Sequence, residues 1–179
     1  MKYIDTETYS KLVSHIEFNM NDMIDAVERN VYPLDYVMSV ALSQRQPQAR
    51  LSCWVITKLL YRNSSAICPY ISQAIAFLPH TTHTGQTREI LRWFTICKPT
   101  HDNDLGTLLD FCLSVLPNNT LPVAIKVHAM TIIENIAKKE PDIIPEFAAI
   151  LEDIYMYQSV GGKNKIQKLL KKYESVLHN

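Results

Sequence analysis

The sequence predicts an all-α fold, an α-solenoid of about four helical hairpins followed by a C-terminal capping helix. Each of the nine prolines fits the first turn or the end of a helix, where a missing N–H is tolerated. Between the prolines, apolar residues recur every three or four positions, which is the period of an amphipathic helix. The same apolar pattern returns at a spacing of 38 residues, which indicates stacked repeats.

The repeat is clearest in the second helix of each hairpin. Shifting its apolar stripe by 38 residues, and then by 38 again, places all fifteen positions on apolar residues in a chain that is 47% hydrophobic. The three stripes are Ile67, Ile71, Ala74, Ile75, Leu78, then Leu105, Leu109, Cys112, Leu113, Leu116, and then Ile143, Phe147, Ile150, Leu151, Ile154. The first helices keep the same period more loosely, which predicts that each unit is a helical hairpin.

The predicted elements begin with a divergent N-terminal cap at residues 1–45, with helices at about Thr8–Glu28 and Leu34–Ser43. Three regular repeats follow it. Their approximate bounds are residues 47–79, 85–117 and 122–154.

The C-terminal element is a basic helix at about residues 163–177, which follows Gly161 and Gly162. A single hairpin cannot bury its apolar stripe, so hairpins stack and the terminal elements become atypical in order to face water. We therefore expect this helix to act as a cap, and the whole chain, residues 1–179, to form one domain.

Charge and hydropathy argue against several classes of protein. Lys+Arg and Asp+Glu number 18 each, so bulk electrostatic attraction to nucleic acid is not expected. The longest stretch without a charged residue, 63–87, is interrupted by Pro69 and Pro79, and we expect no membrane span. The first seven residues are polar and acidic, unlike a signal peptide, which favours a cytoplasmic location.

Cysteine and histidine give no pattern typical of a metal site. Four cysteines lie far apart without a C-x-x-C pair, and we expect them to be small buried apolar residues. His80 and His83 lie between hairpins, whereas His101 lies inside one, at the opposite edge of a solenoid. The residues after His101, 102–104, are instead expected to cap a helix starting near Leu105.

Residues for catalysis are also missing. The sequence contains no Gly-x-Ser-x-Gly elbow, no Ser-x-x-Lys pair and no glycine-rich phosphate loop. His128 is expected to be a structural residue in the middle of a helix. We therefore predict no catalytic residue, no cofactor and no metal, and a protein that is not an enzyme.

A basic residue recurs at the same place in the three repeats, at Arg50, Arg88 and Lys126. Stacking would arrange these cations as a ladder along the first helices, which could contact an anionic strip. The alternative is that each forms a salt bridge with a carboxylate of a neighbouring unit, with Glu89 or Asp110 as candidates, because stacked like charges repel.

The second helices carry aromatic and polar residues at positions outside the apolar stripe, a composition typical of protein contacts. These candidate partner-binding residues are Tyr70, Gln73, Phe77, Phe111, Ser114, Glu146 and Asp153. The aromatic members could instead pack between hairpins. The favoured function is a non-catalytic scaffold that binds an unknown protein or peptide on its concave surface, as a monomer or a weak homo-oligomer.

The lysine-rich C-terminal helix suggests an alternative, weak binding of nucleic acid. Its lysines are Lys163, Lys165, Lys168, Lys171 and Lys172. A solvated helix face and favourable charge near a helix C-terminus explain them equally well.

Four segments, 50–54, 88–92, 110–112 and 122–130, resemble a family of small HEAT-like proteins from Bacteroidetes. The likeness covers roughly Leu34 to Tyr173. It implies a short superhelix of armadillo type, and members are often labelled adenylosuccinate lyases. Lyases of the fumarase group resemble one another in a Gly-Ser-Ser-x-Met-Pro-x-Lys-x-Asn loop. Here only Asn-Ser-Ser-Ala-Ile-Cys-Pro-Tyr is present, at residues 63–70, without the glycine, methionine, lysine or asparagine of that loop.

Overall fold

A computed structural model describes residues 19–99 and 101–177, and the regular secondary structure within these ranges is entirely helical. The α-helices are α1 Met20–Glu28, α2 Leu34–Ala41, α3 Gln48–Arg62, α4 Ile71–Phe77, α5 Thr84–Ile96, α6 Asp102–Val115, α7 Val123–Ile136, α8 Ile144–Ile154 and α9 Val160–Leu177. Short 3-10 helices occur at Cys68–Tyr70, Leu78–His80, Pro141–Ile143 and Tyr155–Tyr157. The predicted all-α class is confirmed.

The prolines lie at helix ends, as predicted. Pro33, Pro47 and Pro122 each occupy the residue before a helix, and Pro145 lies in the first turn of α8. Pro79 lies in the 3-10 turn that follows α4. Proline therefore sets the boundaries of the hairpins by excluding itself from helix interiors.

Three predicted helix bounds differ from the structure. The first predicted helix is observed as α1 from Met20 onward, and its residues 8–18 lie outside the described part of the chain. The second, α2, ends at Ala41 rather than Ser43. The last, α9, begins at Val160 rather than Lys163, so both of the glycines before Lys163 are helical.

Helix α9 begins earlier than predicted because Ser159 caps its first turn. The hydroxyl of Ser159 accepts a hydrogen bond from the N–H of Gly162 at 3.4 Å, and the Ser159 carbonyl accepts one from Lys163 at 2.8 Å. A serine at this position satisfies N–H groups that the first turn of a helix leaves without partners. The glycine pair does not break the helix, because it lies where the serine has already closed the first turn.

The prediction that a residue in 102–104 caps a helix starting near Leu105 was wrong, because the helix begins three residues earlier. Helix α6 begins at Asp102, and the residue before it, His101, makes no side-chain hydrogen bond to the helix. Asp102 and Asp104 therefore lie inside the first turn. Their negative charge still stabilises the helix, because the N-terminal end carries a partial positive charge.

The chain divides into two compact units, residues 1–97 and 98–179, and the boundary falls between α5 and α6. That the whole chain is one domain stays a prediction. In the first unit, α3 packs against α1, α2 and α5. The side chains of Ile56, Leu60, Ile75, Trp93 and Phe94 are almost completely buried there. The first helices of consecutive predicted repeats, α3 and α5, thus lie side by side.

Polar contacts fix the N-terminal hairpin of the first unit to the next repeat. The amide nitrogen of Gln86 donates to the carbonyls of Ala41 at 2.7 Å and Ser43 at 2.9 Å, at the end of α2. Arg62 at the end of α3 binds Asp25 at 2.6 Å and Glu28 at 2.9 Å on α1. Carbonyls at a helix end have no partner within the helix, and Gln86 supplies one.

In the second unit, α7 packs against α6 and α9, and α8 packs against α9. Phe147 of α8 and Tyr173 of α9 meet edge to face, with ring centroids 6.3 Å apart and an interplanar angle of 61°. This geometry is favourable for aromatic pairs. The C-terminal helix therefore covers the apolar stripe of the last predicted repeat, as a capping helix should.

Candidate binding surfaces

A buried polar network joins α3 to α5 in the first unit. The Glu89 side chain is almost completely buried, and its carboxylate accepts a hydrogen bond from the Thr57 hydroxyl at 2.8 Å. The Trp93 indole N–H donates to the same hydroxyl at 3.0 Å and to the Cys53 carbonyl at 3.2 Å. A buried carboxylate is costly unless it is paired, and here two helices cooperate to satisfy it.

Two arginines on α5 neutralise this carboxylate from the solvent side. Arg88 donates to Glu89 at 2.9 Å, and the guanidinium of Arg92 lies 4.0 Å from it. Burial, together with the charge of Glu89, raises the pKa of the Cys53 thiol well above its ordinary value. Arg88 thus pairs with one of the predicted carboxylates, Glu89, but within its own helix and not with a neighbouring repeat.

The other two members of the predicted ladder have different surroundings. Arg50 forms no ion pair among the described residues. Lys126 is 3% exposed, and its ammonium donates to the Asn119 side-chain oxygen at 3.2 Å. Burial lowers the pKa of Lys126. A ladder through all three would involve both units, and it stays a prediction.

Sequence reasoning missed an exposed aromatic face on α3. Trp54 and Tyr61 are large apolar side chains exposed to solvent, and Arg92 donates from Nε to the Tyr61 hydroxyl at 2.9 Å. The two aromatic residues are seven positions apart, which places them on one side of a helix. That spacing, outside the apolar stripe, is the signal that could have identified them.

On the second-helix side of the first unit, Tyr70 and Phe77 are half-buried and Gln73 is exposed. The Tyr70 hydroxyl donates to the carboxylate of Asp35, next to the start of α2. Burial and the neighbouring carboxylate raise the pKa of Tyr70 to about 12, so its hydroxyl stays protonated at neutral pH.

In the second unit, Phe111 is half-buried on α6, and Ser114, Glu146 and Asp153 are exposed. The Ser114 hydroxyl donates to the Phe111 carbonyl at 2.8 Å. Glu146 and Asp153 both belong to α8, together with exposed Glu152. None of these three acidic side chains has an ion-pair partner among the described residues.

The lysine-rich face of α9 is partly used within the unit. Lys165 binds Glu134 of α7 at 2.7 Å, and Lys172 binds the same carboxylate at 2.8 Å. Burial acts to raise the pKa of Glu134, but the hydrogen bonds from the two lysines outweigh it and lower the pKa. The neighbouring Lys168 and Lys171 are exposed, and Lys171 lines a shallow groove of about 320 Å³.

The histidines between hairpins have a structural explanation. His83 precedes α5, and its Nδ1 atom accepts a hydrogen bond from the N–H of Gly85 at 3.1 Å, so it caps the helix. The carbonyl of His80 accepts a hydrogen bond from the side chain of Gln44. Within residues 19–99 and 101–177, no group of three His, Cys, Asp or Glu side chains is arranged to hold a metal ion.

The serines compared with the lyase loop lie in an ordinary turn. Ser64 and Ser65 follow α3, and the side-chain oxygen of Asn63 accepts hydrogen bonds from the N–H of Ser65 at 3.2 Å and its hydroxyl at 2.9 Å. Such an asparagine turn is a common way to reverse the chain between helices. The position of these serines in a hairpin connector agrees with the predicted repeat.

Helices of the described part of the chain are all too short or too polar to cross a membrane. A comparison with family models matches residues 10–173 to the HEAT repeat domain. No curated protein and no solved structure matches the chain. With most of its length covered by this model, the chain belongs to the HEAT repeat domain family, whose helical repeats generally act as non-catalytic scaffolds for protein interactions.

Proposed function

We propose that the chain is a non-catalytic binding module that recognises a protein or peptide on the exposed face of its second helices. Rigid helices of repeat proteins present contact residues at little cost in ordering, which favours recognition over catalysis. The proposed contact residues are Tyr70, Gln73 and Phe77 in the first unit, and Phe111, Ser114, Glu146 and Asp153 in the second.

The observation that carries the proposal is the acidic face of α8. Glu146 and Asp153 are exposed, lie seven positions apart on one side of the helix, and have no ion-pair partner among residues 19–99 and 101–177. Exposed Glu152 lies on a different side of α8, beside the groove that Lys171 lines. Two exposed carboxylates on one side of a helix, both without an intramolecular cation, present a negative surface that a basic partner complements. We therefore expect the segment bound by the second unit to carry Lys or Arg beside apolar residues.

The first unit supports the same function with a different chemistry. Tyr70 and Phe77 flank exposed Gln73 at the two ends of α4. Aromatic rings next to an amide form contacts that are both apolar and hydrogen-bonded, as in the centres of protein interfaces. Because the Tyr70 hydroxyl already bonds to Asp35, its ring needs little further ordering on binding.

The test is a pull-down from lysate of the source organism, treated with nuclease, followed by direct titration of the recovered protein. The test variant is Glu146→Gln/Asp153→Asn. The matched control is Asp102→Asn/Glu140→Gln, which removes two exposed carboxylates of the same unit elsewhere. We expect the test variant to lose at least tenfold in affinity and the control to bind like wild type.

Equal binding by both variants, or equal loss in both, would overturn the assignment of the α8 face. Nuclease excludes proteins recovered through nucleic acid. Nucleic-acid binding itself has less support, because Lys165 and Lys172 are paired with Glu134. Lyase activity has no support from the connector serines, and steady turnover of adenylosuccinate by the purified protein would contradict the non-catalytic assignment.

A further inference from the structure

Two cysteines that are distant in sequence meet in the first unit. The Sγ atoms of Cys68 and Cys97 lie 3.7 Å apart, although 29 positions separate the residues. Both thiols are free. Sulfur atoms at this distance are in van der Waals contact, and a disulfide requires that they approach from 3.7 Å to about 2.05 Å.

The backbone holds each cysteine at a defined place. Cys68 begins the 3-10 turn that leads into α4, and its N–H donates to the Ser65 carbonyl at 3.0 Å. Cys97 directly follows α5 as its C-terminal cap, and its N–H donates to the Trp93 carbonyl at 2.8 Å. The pairing therefore comes from ordered helix ends, which makes repeated encounter of the two thiols intrinsic to the fold.

The two thiols differ in access to solvent. Cys68 is exposed, whereas Cys97 is buried. Burial, with the neighbouring Cys68, raises the pKa of Cys97 to about 12, so Cys97 is mostly protonated and is protected from reagents in solution. Cys53 and Cys112 are buried as well, so the expectation of four buried cysteines was wrong only for Cys68.

We propose that Cys68 and Cys97 form a redox-modifiable thiol pair that a low-molecular-weight disulfide converts into an intramolecular disulfide. Cys68 loses its proton and attacks one sulfur of the reagent RSSR, forming a Cys68–SR mixed disulfide and releasing one thiol. Cys97 then loses its proton and attacks the Sγ atom of Cys68, releasing the second thiol. Overall, two protein thiols are oxidised and RSSR is reduced to two RSH.

The contact between the two sulfurs predicts the relative rates of these steps. The high pKa of Cys97 leaves little thiolate for the second attack, but that attack takes place within one folded unit between atoms already in contact, an advantage that we expect to outweigh the lower thiolate fraction and to make this step faster than the first. The mixed disulfide therefore does not accumulate in the wild type. Replacement of Cys97 removes the second step and leaves the adduct on Cys68.

The experiment treats the purified full-length protein with oxidised glutathione and follows intact mass, non-reducing electrophoresis and maps of peptides from trypsin combined with Asp-N. Trypsin alone leaves Cys97 and Cys112 on one peptide because Pro99 follows Lys98, whereas Asp-N cleaves before Asp102 and separates them. For the wild type we expect loss of two hydrogens, a monomer, and one linked peptide pair containing Cys68 and Cys97. For Cys97→Ser we expect a gain of one glutathionyl group on Cys68. For Cys68→Ser we expect no reaction in the folded protein.

Several results would overturn the proposal. These are a stable glutathionyl adduct in the wild type, a link that involves Cys53 or Cys112, or no reaction at Cys68. Circular dichroism of both variants verifies that they are folded. The wild-type peptide map tests the Cys68–Cys97 disulfide without any substitution. The proposal can therefore be refuted even if the Cys97→Ser variant does not fold.

Discussion

The substitution Thr57→Val tests the buried network that joins α3 to α5. Valine has nearly the shape of threonine, so the change removes the hydroxyl and leaves little cavity. The hydroxyl accepts from the Trp93 indole at 3.0 Å, and its single hydrogen faces the Glu89 carboxylate at 2.8 Å and the Cys53 carbonyl of its own helix at 3.0 Å, of which the nearer, charged acceptor is preferred. After the change, the Trp93 indole still donates a hydrogen bond to the Cys53 carbonyl. One carboxylate oxygen of Glu89 loses its hydrogen bond, and its remaining partner among the described residues is the Arg92 guanidinium at 4.0 Å.

The expected cost follows from which partner is left without a hydrogen bond. A bond to a charged group contributes roughly 1.5–3 kcal/mol, and a neutral one about 1 kcal/mol. We therefore expect Thr57→Val to lower the free energy of unfolding by about 2 kcal/mol. In the Glu89→Gln background the acceptor is neutral, and the same change should cost about 1 kcal/mol.

The assay is urea unfolding followed by far-UV circular dichroism, on the wild type, both single variants and the double variant. Thr95→Val is the matched control, because the Thr95 hydroxyl donates only to the Arg92 carbonyl of its own helix at 2.8 Å. We expect the control to stay within about 0.5 kcal/mol of wild type. A cost of Thr57→Val no larger than that of the control, or an equal cost in both backgrounds, would refute the reasoning.

Three further predictions concern charge and redox state. Lys126→Met should raise the free energy of unfolding at neutral pH by about 1 kcal/mol, since it removes a buried charge. Burial lowers the folded-state pKa of Lys126 below its ordinary 10.5, so the wild type becomes more stable as pH rises from the folded-state pKa to 10.5. Urea unfolding in that pH range should show a shrinking difference in free energy of unfolding between Lys126→Met and the wild type. Glu134→Gln should cost about 1 kcal/mol at neutral pH, limited by solvent screening of its two lysine partners. Because the folded-state pKa of Glu134 is lowered, the cost of Glu134→Gln should be present above pH 4.5, the ordinary pKa, and should vanish as pH falls through the lowered pKa. A cost that is unchanged in acid would contradict this prediction. Oxidation of Cys68 and Cys97 closes a loop spanning 29 positions and should stabilise the protein by about 3–4 kcal/mol in urea, an effect that Cys68→Ser should abolish.

The helices could be predicted because their signals are local. Proline excludes itself from helix interiors, and apolar residues follow the side of a helix that is buried. Ile75 and Phe147 of the predicted stripes are both buried in the structure. Helix α9 begins three residues before its predicted start, because the Ser159 hydroxyl accepts from the first turn and the two glycines lie inside the helix.

The polar network could not be predicted, because it depends on the register between two helices. Thr57 and Glu89 are 32 positions apart, which is not the repeat period, so a shift of 38 residues does not align them. The contact of Cys68 with Cys97 has the same origin, since 29 positions separate them. A periodic sequence pattern shows which side of each helix is buried. Which polar atoms meet depends on the axial offset between neighbouring helices, and the pattern does not give that offset.

The three basic positions show most clearly what a repeat period determines. Arg50, Arg88 and Lys126 share one register position, yet Arg88 binds Glu89 and Lys126 is buried beside Asn119. Arg50 has no ion-pair partner in the described part of the chain. The repeat period thus fixes where a basic residue lies on its helix. The interaction energy of that residue depends on neighbours that differ from one repeat to the next. Arg88 and Lys126 therefore differ in energy although the repeat gives them the same position, and contact of all three cations with one anionic strip stays a prediction that the period alone cannot decide.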